Sequence, residues 1–199
     1  MRMIFRRFAV SVLLSVVLLA VGAASPTGVS QPAMARGPGQ VYLLRGLANV
    51  FSLGMDQIGD RLTKDGISAK TFNHTYWTVI ADEIIADYKG KRRLGPIAIV
   101  GHSFGATAAT MLSARLAEQH VPVALLVAID PSYPVTVSPN VRRAIAFHTV
   151  SFPALQPAAG FHGSLINVAV TDAGHITVDK SGPVQDRTIA EIKRAFGRR

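Results

Sequence analysis

The sequence predicts an α/β fold, a three-layer sandwich in which a mainly parallel sheet of about six strands lies between helices. Short apolar runs alternate along the chain with amphipathic segments of helical spacing. The runs are almost unbroken in apolar character, as expected for parallel strands that are covered on both faces. The chain has 199 residues, enough for one domain with a sizeable core and too few for two.

The first half of the predicted domain contains three strands and three helices. A strand at 41–44 is followed by a helix in which Met55, Ile58 and Leu62 recur at helical spacing. A weaker strand at 68–72 precedes an amphipathic helix, and an uninterrupted apolar strand at 96–100 precedes a third helix at 104–119. The apolar face of the second helix comprises Trp77, Ile80, Ile84, Ile85 and Tyr88.

The second half supplies three further strands, at 123–129, 144–150 and 165–170, and a final helix. The final helix begins near Pro183 and turns Ile189, Ile192 and Phe196 inward. Prolines interrupt the stretch between the fourth and fifth strands, so we expect a loop there, or at most a short helix.

The N-terminal segment differs in composition from the rest of the chain. Basic residues precede an apolar run at 9–21 and then small residues, the pattern of a secretory signal peptide. We expect cleavage after Ala24, with Ala35 as the alternative site, and hence an exported protein, periplasmic or secreted. An uncleaved membrane anchor is the other interpretation. Residues 25–39 are rich in Pro, Gly, Ser and Ala and predict a flexible leader, and the folded domain is expected to span 40–199.

Composition excludes several kinds of site and partner. The chain has no cysteine, which excludes disulfides, thiolate metal sites, iron–sulfur clusters and cysteine nucleophiles. We expect neither a cofactor nor a metal ion. The formal net charge of +9 falls to +6 without the three arginines of the signal segment, and the remaining basic residues are dispersed. A solvated basic surface and no nucleic-acid partner are therefore expected; weak association with an anionic membrane surface is the alternative. Nothing in the sequence indicates an oligomeric state.

One motif carries chemistry. Residues 101–105 read Gly-His-Ser-Phe-Gly, the G-x-S-x-G pattern of a nucleophile elbow, between a buried strand and a helix. The turn needs small residues on both sides of Ser103 so that strand and helix can approach, and Gly101 and Gly105 meet this need. The helix N-terminus also directs its positive end toward an oxyanion that forms there. We therefore predict Ser103 as a nucleophile.

From Val41 to the C-terminus the chain resembles the α/β-hydrolase superfamily, in a compact form like lipases and thioesterases. The resemblance rests on the elbow at Ser103 and on the succession of strands and helices. It implies a serine, an acid and a histidine in that chain order, on loops at the carboxyl ends of strands. The first predicted strand matches the third strand of larger members, which implies a minimal hydrolase core without a cap.

The base must be a histidine, because an imidazole can take the serine proton and return it near neutral pH. His175 follows the last strand on a loop before the final helix, where the superfamily keeps its base. His162 is the only substitute, and the side chain of His102 is expected to point away from Ser103. The resemblance implies Asp130, after the fourth strand, as the acid. Asp172 is the rival, although a turn-forming role suits it better.

The resemblance also implies two backbone donors for the oxyanion. These are the N–H of Phe104, after the nucleophile, and the N–H of Leu47, in the loop after the first strand. Arg45 stands where a histidine is more familiar, which is expected to affect the substrate's charge preference. Phe51 and Met55 are candidates for an acyl pocket, and ordinary core packing explains them equally well.

These residues predict hydrolysis of a carboxylic ester or a thioester through an acyl-enzyme, with a small-molecule or lipid ester as substrate. Export favours carboxylic esters, because acyl-coenzyme A thioesters are intracellular. Two alternatives stay open: an acyltransferase that uses the same three residues, and a non-catalytic binding protein with a hydrolase fold.

Overall fold

The computed structural model describes residues 37–47, 52–90, 92 and 94–198. The predicted signal peptide, both candidate cleavage sites, residues 25–36 of the predicted leader and Phe51 lie outside the described residues. None of the described helices is both long and apolar enough to cross a membrane.

Eight strands and four α-helices are described, together with two 3-10 helices. The strands are β1 (Gln40–Arg45), β2 (Ser68–Asn73), β3 (Ile97–His102), β4 (Leu125–Ile129), β5 (Thr136–Val137), β6 (Arg143–His148), β7 (Gln156–Pro157) and β8 (Ser164–Ala169). The α-helices are α1 (Gly54–Lys64), α2 (Trp77–Lys89), α3 (Phe104–Glu118) and α4 (Gly182–Ala195), and the 3-10 helices span His74–Tyr76 and Val178–Lys180.

Six of the strands form one sheet in the order β2-β1-β3-β4-β6-β8, and every neighbouring pair is parallel. The predicted parallel sheet of six strands is thus confirmed. The chain moves outward from β1 to β2 and then returns to β3 on the other side of β1. Parallel sheets open a crevice where the strand order reverses in this way, at the carboxyl ends of the strands. That crevice lies between the ends of β1 and β3.

Two apolar layers separate the sheet from its helices. On one face α1 and α4 pack against it through residues such as Met55, Ile58 and Ile192, each 0% exposed. On the other face α2 and α3 pack through residues such as Ile80, Ala109 and Leu112. This is the predicted three-layer sandwich. Among the described residues no cap domain is inserted at the carboxyl edge of the sheet.

The structure departs from the sequence-based prediction in three places. Val150, predicted in the fifth strand of the sheet, lies in a turn after β6 and is 92% exposed. Tyr88, predicted on the inner face of α2, is 42% exposed at the last turn of the helix. The loop expected after β4 contains no helix, but it carries β5, which pairs with β7 in a separate two-stranded parallel sheet. Strands of two residues have no periodicity from which to predict them.

Candidate active site

Ser103 lies at the tight turn between β3 and α3, at the crevice described above. Its backbone has φ 60° and ψ −126°, a conformation that residues other than glycine rarely adopt. The two glycines of the motif allow strand and helix to approach. A Cβ on Gly101 would lie 2.1 Å from the carbonyl oxygen of Gly105, and a Cβ on Gly105 would lie 2.0 Å from that of Leu44. The close approach therefore requires glycine at both positions.

Ser103, His175 and Asp130 form a row in which each side chain lies within hydrogen-bonding distance of the next. Nε2 of His175 lies 2.9 Å from Oγ of Ser103, and Nδ1 lies 3.2 Å from Oδ2 of Asp130. Ser103 follows β3, Asp130 follows β4, and His175 lies in the loop after β8. Because all these strands are parallel, their carboxyl ends meet at one edge, and the three side chains come together there.

Asp130 is completely buried, and its carboxylate is held by Thr149. Oδ1 accepts the backbone N–H of Thr149 at 2.6 Å, and Oδ2 accepts its hydroxyl at 2.9 Å. Asp130 also has a positive φ of 45°. A buried carboxylate is tolerated only where hydrogen bonds satisfy its oxygens, as they do here. Its remaining contact is the imidazole of His175, so the carboxylate can fix the orientation of that ring.

The imidazole of His175 is also held by an aromatic side chain. The ring of Phe152 stacks on it, with centroids 3.8 Å apart and planes inclined by 6°. Thr149 and Phe152 both belong to the turn after β6. Sequence reasoning missed both. The strand register offered a signal for Thr149, because Ile129 pairs with Phe147, and Asp130 therefore lies beside the end of β6.

The two alternative site residues lie elsewhere. Asp172 is exposed, its side chain has no hydrogen bond to another described residue, and it lines a separate cavity of about 550 Å³ beside α4. His162 is exposed and precedes β8, at the edge of the sheet opposite to Ser103. Neither is positioned to replace Asp130 or His175 beside Ser103.

A small cavity borders Ser103. Its volume is about 170 Å³, and Leu47, Phe104 and Ile176 contribute apolar walls. Leu47 and Phe104 both border this cavity, and neither of their N–H groups donates a hydrogen bond to another described residue. Met55 does not line this cavity: it is fully buried in the core beneath α1, so core packing is its role.

Gly46, just after β1, lies close against the nucleophile. A Cβ on Gly46 would lie 2.9 Å from Cβ of Ser103 and 2.8 Å from Oγ of Ser52, so this close approach to Ser103 requires glycine. Arg45 forms a bidentate ion pair with Asp56 of α1. The hydrogen bond to Asp56 raises the pKa of the Arg45 guanidinium. This ion pair ties the end of β1 to α1, and Arg45 also lines a separate cavity of about 500 Å³. Its expected influence on the charge preference for the substrate stays a prediction.

Ser52 and His102 are further buried polar residues at the site. Oγ of Ser52 accepts the N–H of Gly46 at 2.8 Å and lies 2.8 Å from Nδ1 of His102. Nε2 of His102 lies 2.8 Å from the carbonyl oxygen of His175. The side chain of His102 makes no hydrogen bond to Ser103. Within the described residues, no three or more His, Cys, Asp or Glu side chains form a group that could hold a metal ion.

Comparison with known proteins bears on the family and the fold. Residues 56–152 match the family model of the thioesterase domain. A cutinase-like protein from Cryptococcus sp. is 14% identical over 83% of this chain and 99% of its own, with a TM-score of 0.56. RedJ, the thioesterase from the prodiginine biosynthetic pathway in Streptomyces coelicolor, is 14% identical over 87% of this chain and 99% of its own, with a TM-score of 0.52.

A protein from Xanthomonas campestris pv. campestris, described as a hydrolase of the alpha/beta superfamily, is 18% identical over 79% of this chain and 99% of its own, with a TM-score of 0.51. No curated protein matches the sequence. At these identities the structural likeness shows the fold. The family match over residues 56–152 and the α/β-hydrolase-like fold together support the resemblance to a compact, thioesterase-like hydrolase.

Proposed function

We propose that this esterase- or thioesterase-like α/β-hydrolase cleaves an acyl ester or thioester through an acyl-enzyme on Ser103, with His175 as the base and Asp130 as the acid. The observation that carries the proposal is the row of hydrogen bonds from Ser103 through His175 to the buried Asp130. A serine hydroxyl is a weak nucleophile until a neighbouring base accepts its proton, and the 2.9 Å separation of Oγ and Nε2 allows that transfer.

The direction of each proton follows from the partners. An ionised Asp130 only accepts hydrogen bonds, so Nδ1 of His175 carries a proton and Nε2 is free to accept the proton of Ser103. Oγ then bonds to the acyl carbon, and the carbonyl electron pair moves onto the oxygen. When that tetrahedral intermediate collapses, the bond to the leaving group breaks, and His175 returns the proton to the departing alkoxide or thiolate. A water molecule then attacks the acyl-enzyme through the same steps, with Ser103 as the leaving group, and the carboxylic acid product is released.

The negative oxygen of the intermediate is expected to face the N–H groups of Phe104 and Leu47. The first stands at the N-terminus of α3, whose dipole adds to the stabilisation. The second belongs to the loop that Gly46 holds against Ser103. The ring of Phe104 contacts two others, His74 stacked at 5.7 Å and Tyr133 edge-on at 6.0 Å. Such preorganised donors typically contribute about 10²–10³-fold each to kcat.

The cavity beside Ser103 favours a short, apolar acyl group. At roughly 30 Å³ for each non-hydrogen atom, a volume of about 170 Å³ admits about six such atoms. Because one of these atoms is the carbonyl oxygen, a series of p-nitrophenyl esters should give the highest kcat/KM at acyl chains of two to about five carbons. A maximum at long chains, such as twelve carbons, would contradict this size limit.

Labelling with a fluorophosphonate probe tests the nucleophile. The native protein should react, and Ser103→Ala should not, while Ser132→Ala serves as a matched control because its hydroxyl lies 3.3 Å from Oγ of Ser103. No reaction of the native protein would overturn the proposal and favour a non-catalytic binding protein. Labelling at Ser103 without hydrolysis of any ester would favour the acyltransferase.

We also propose that the protein is exported, on the strength of the basic, apolar and small-residue succession at its N-terminus. Expression of the full chain should yield an extracytoplasmic protein whose N-terminus, read by mass spectrometry, begins after Ala24 or Ala35. A full-length chain that stays in the cytosolic fraction would contradict export, and one that sediments with membranes would favour the uncleaved anchor.

A further inference from the structure

His102, the last residue of β3, has a side chain that the proposed reaction does not use. It is 1% exposed and directly precedes Ser103. Both of its ring nitrogens nevertheless have partners, Oγ of Ser52 on one side and the carbonyl oxygen of His175 on the other, each at 2.8 Å. An imidazole that is buried and paired at both nitrogens is held in one orientation.

The direction of each of these hydrogen bonds can be assigned. A carbonyl oxygen only accepts, so Nε2 of His102 carries a proton. Burial lowers the pKa of His102, although Asp179 opposes this effect, and the ring is therefore neutral near pH 7. Nδ1 then accepts the hydroxyl proton of Ser52, whose oxygen accepts the N–H of Gly46 at 2.8 Å. In this series of three hydrogen bonds, from the N–H of Gly46 through Ser52 and His102 to the carbonyl of His175, each donor thus has one acceptor.

The surroundings of His102 contain three titratable groups. Oδ2 of Asp179 lies 3.9 Å from Nδ1 of His102, beyond hydrogen-bonding distance, and accepts the N–H of Gly54 at the start of α1. The ring of His175 lies 5.1 Å away, between centroids, and Asp130 lies beyond it. Asp179 follows the loop that carries His175. Its hydrogen bond with the N–H of Gly54 therefore joins that loop to the start of α1, in addition to the connection through His102 and Ser52.

We propose that His102 is a positioning residue, which joins the loop after β1 to the loop that carries His175 and so holds both in place around Ser103. The inference rests on the proposed function and extends it. The first loop presents the N–H of Leu47, and the second presents the base. Ser103 needs both at fixed distances, and a displacement of about 1 Å at such a site typically costs about 10²-fold in rate.

Two substitutions of His102 separate positioning from mere filling of space. His102→Phe keeps the ring and removes both hydrogen bonds. His102→Gln places an amide N–H near the position of Nε2 and can restore the bond to the carbonyl of His175. We expect kcat of His102→Phe for a short-chain p-nitrophenyl ester to fall about 10- to 100-fold with KM within about twofold, and His102→Gln to recover about tenfold. Equal losses in both variants, or a full kcat in a folded His102→Phe protein, would overturn the proposal.

Ser52→Ala tests the other half of the connection against a matched control. Ser52 and Ser113 are both 0% exposed, but Ser113 bonds Ser138 and the carbonyl of Thr110, away from the site. Ser52→Ala should lower kcat about tenfold. Ser113→Ala should leave kcat unchanged even if it lowers the thermal unfolding midpoint as much. Equal effects of the two substitutions on kcat would show that general destabilisation, not positioning, is responsible.

Hydrogen-exchange mass spectrometry decides the coupling without any substrate. His102→Phe should raise exchange in residues 44–47 and also in 174–178, where Thr177 and Val178 donate to the carbonyl of Gly174. Ser113→Ala should raise exchange in neither. If the native protein neither reacts with the probe nor cleaves esters, but both segments loosen together, the proposed function fails and the coupling stands. If the native protein is active and His102→Phe leaves both segments protected, the coupling fails and the proposed function stands.

Discussion

Replacing Asp130 by asparagine is expected to reverse the hydrogen-bond polarity of the site while it preserves the shape. Oδ1 of Asp130 accepts the backbone N–H of Thr149, and Oδ2 faces Nδ1 of His175. A backbone N–H can only donate, so the oxygen of the new amide must take the position of Oδ1. Its NH₂ group is thereby directed at Nδ1 of His175, which must become an acceptor.

The consequence for the reaction follows from the tautomer. With Nδ1 as the acceptor, the single proton of the neutral ring moves to Nε2, which lies 2.9 Å from Oγ of Ser103. Nε2 can then no longer accept the proton of the nucleophile. In serine triads this change of tautomer lowers kcat on the order of 10⁴-fold, about 5.4 kcal/mol in activation free energy. We expect a loss of this order for Asp130→Asn, with KM little changed.

Steady-state hydrolysis of a short-chain p-nitrophenyl ester measures this loss, and Asp172→Asn is the matched control. It makes the same chemical change on an exposed carboxylate that lines a separate cavity, and its kcat should stay within about twofold of the native value. Circular dichroism would verify that both variants are folded. An inactive Asp172→Asn protein beside an active Asp130→Asn protein would refute the assignment of the acid and the argument from the tautomer.

Three further substitutions test separate parts of the site and the core. Phe152→Leu removes the ring stacked on His175 and should lower kcat about two- to fivefold, because the cation–π contact with the protonated imidazole is lost. An unchanged kcat would contradict a role for this contact in the reaction. Gly46→Ala places a Cβ 2.9 Å from that of Ser103 and should lower kcat at least about tenfold, and native kcat would show that the loop yields without cost. For Glu191, burial raises the pKa, but its three arginine partners outweigh burial and lower it. Its stabilisation is therefore present above the unfolded pKa of about 4.3 and is lost as the pH falls through the lower folded value. Glu191→Gln should cost about 1.5–3 kcal/mol in urea unfolding at pH 7 and less near pH 3, and equal losses at both would contradict the assignment.

The fold could be predicted because buried parallel strands and amphipathic helices leave opposite periodicities in the sequence. Residues such as Met55, Ile58 and Leu62 recur at helical spacing and are all buried beneath α1. The prediction was wrong where apolar character continues past the end of an element. Val150 extends the apolar run of β6, but the chain has already turned there to bring Thr149 toward Asp130. Hydrophobicity alone does not mark such a turn.

The site could be predicted only in part, since its members differ in what identifies them. Ser103 has a local motif, and His175 and Asp130 follow strands whose carboxyl ends must meet. Ser52 and Phe152 have neither signal. Each reaches the site from a loop, and its partner is distant in the sequence: Ser52 meets a histidine fifty residues later. Only the loop conformations determine these contacts, so no pattern of residue types could have identified them.

The backbone strain at Ser103 leads to one more prediction, in which the usual order of glycine and alanine is reversed. At φ 60° a residue with a Cβ bears strain on the order of 1–3 kcal/mol, whereas glycine adopts this region freely and loses about 0.5–1 kcal/mol to chain entropy. Ser103→Gly should therefore be more stable than Ser103→Ala by about 0.5–2 kcal/mol in urea unfolding. Ala114→Gly, at an exposed position in α3, is the control for the usual order, in which alanine is more stable than glycine. Its free energy of unfolding should fall by about 1 kcal/mol. If Ser103→Ala is as stable as Ser103→Gly or more so, the turn is not strained, and the fold does not hold the nucleophile in this conformation at a cost in stability.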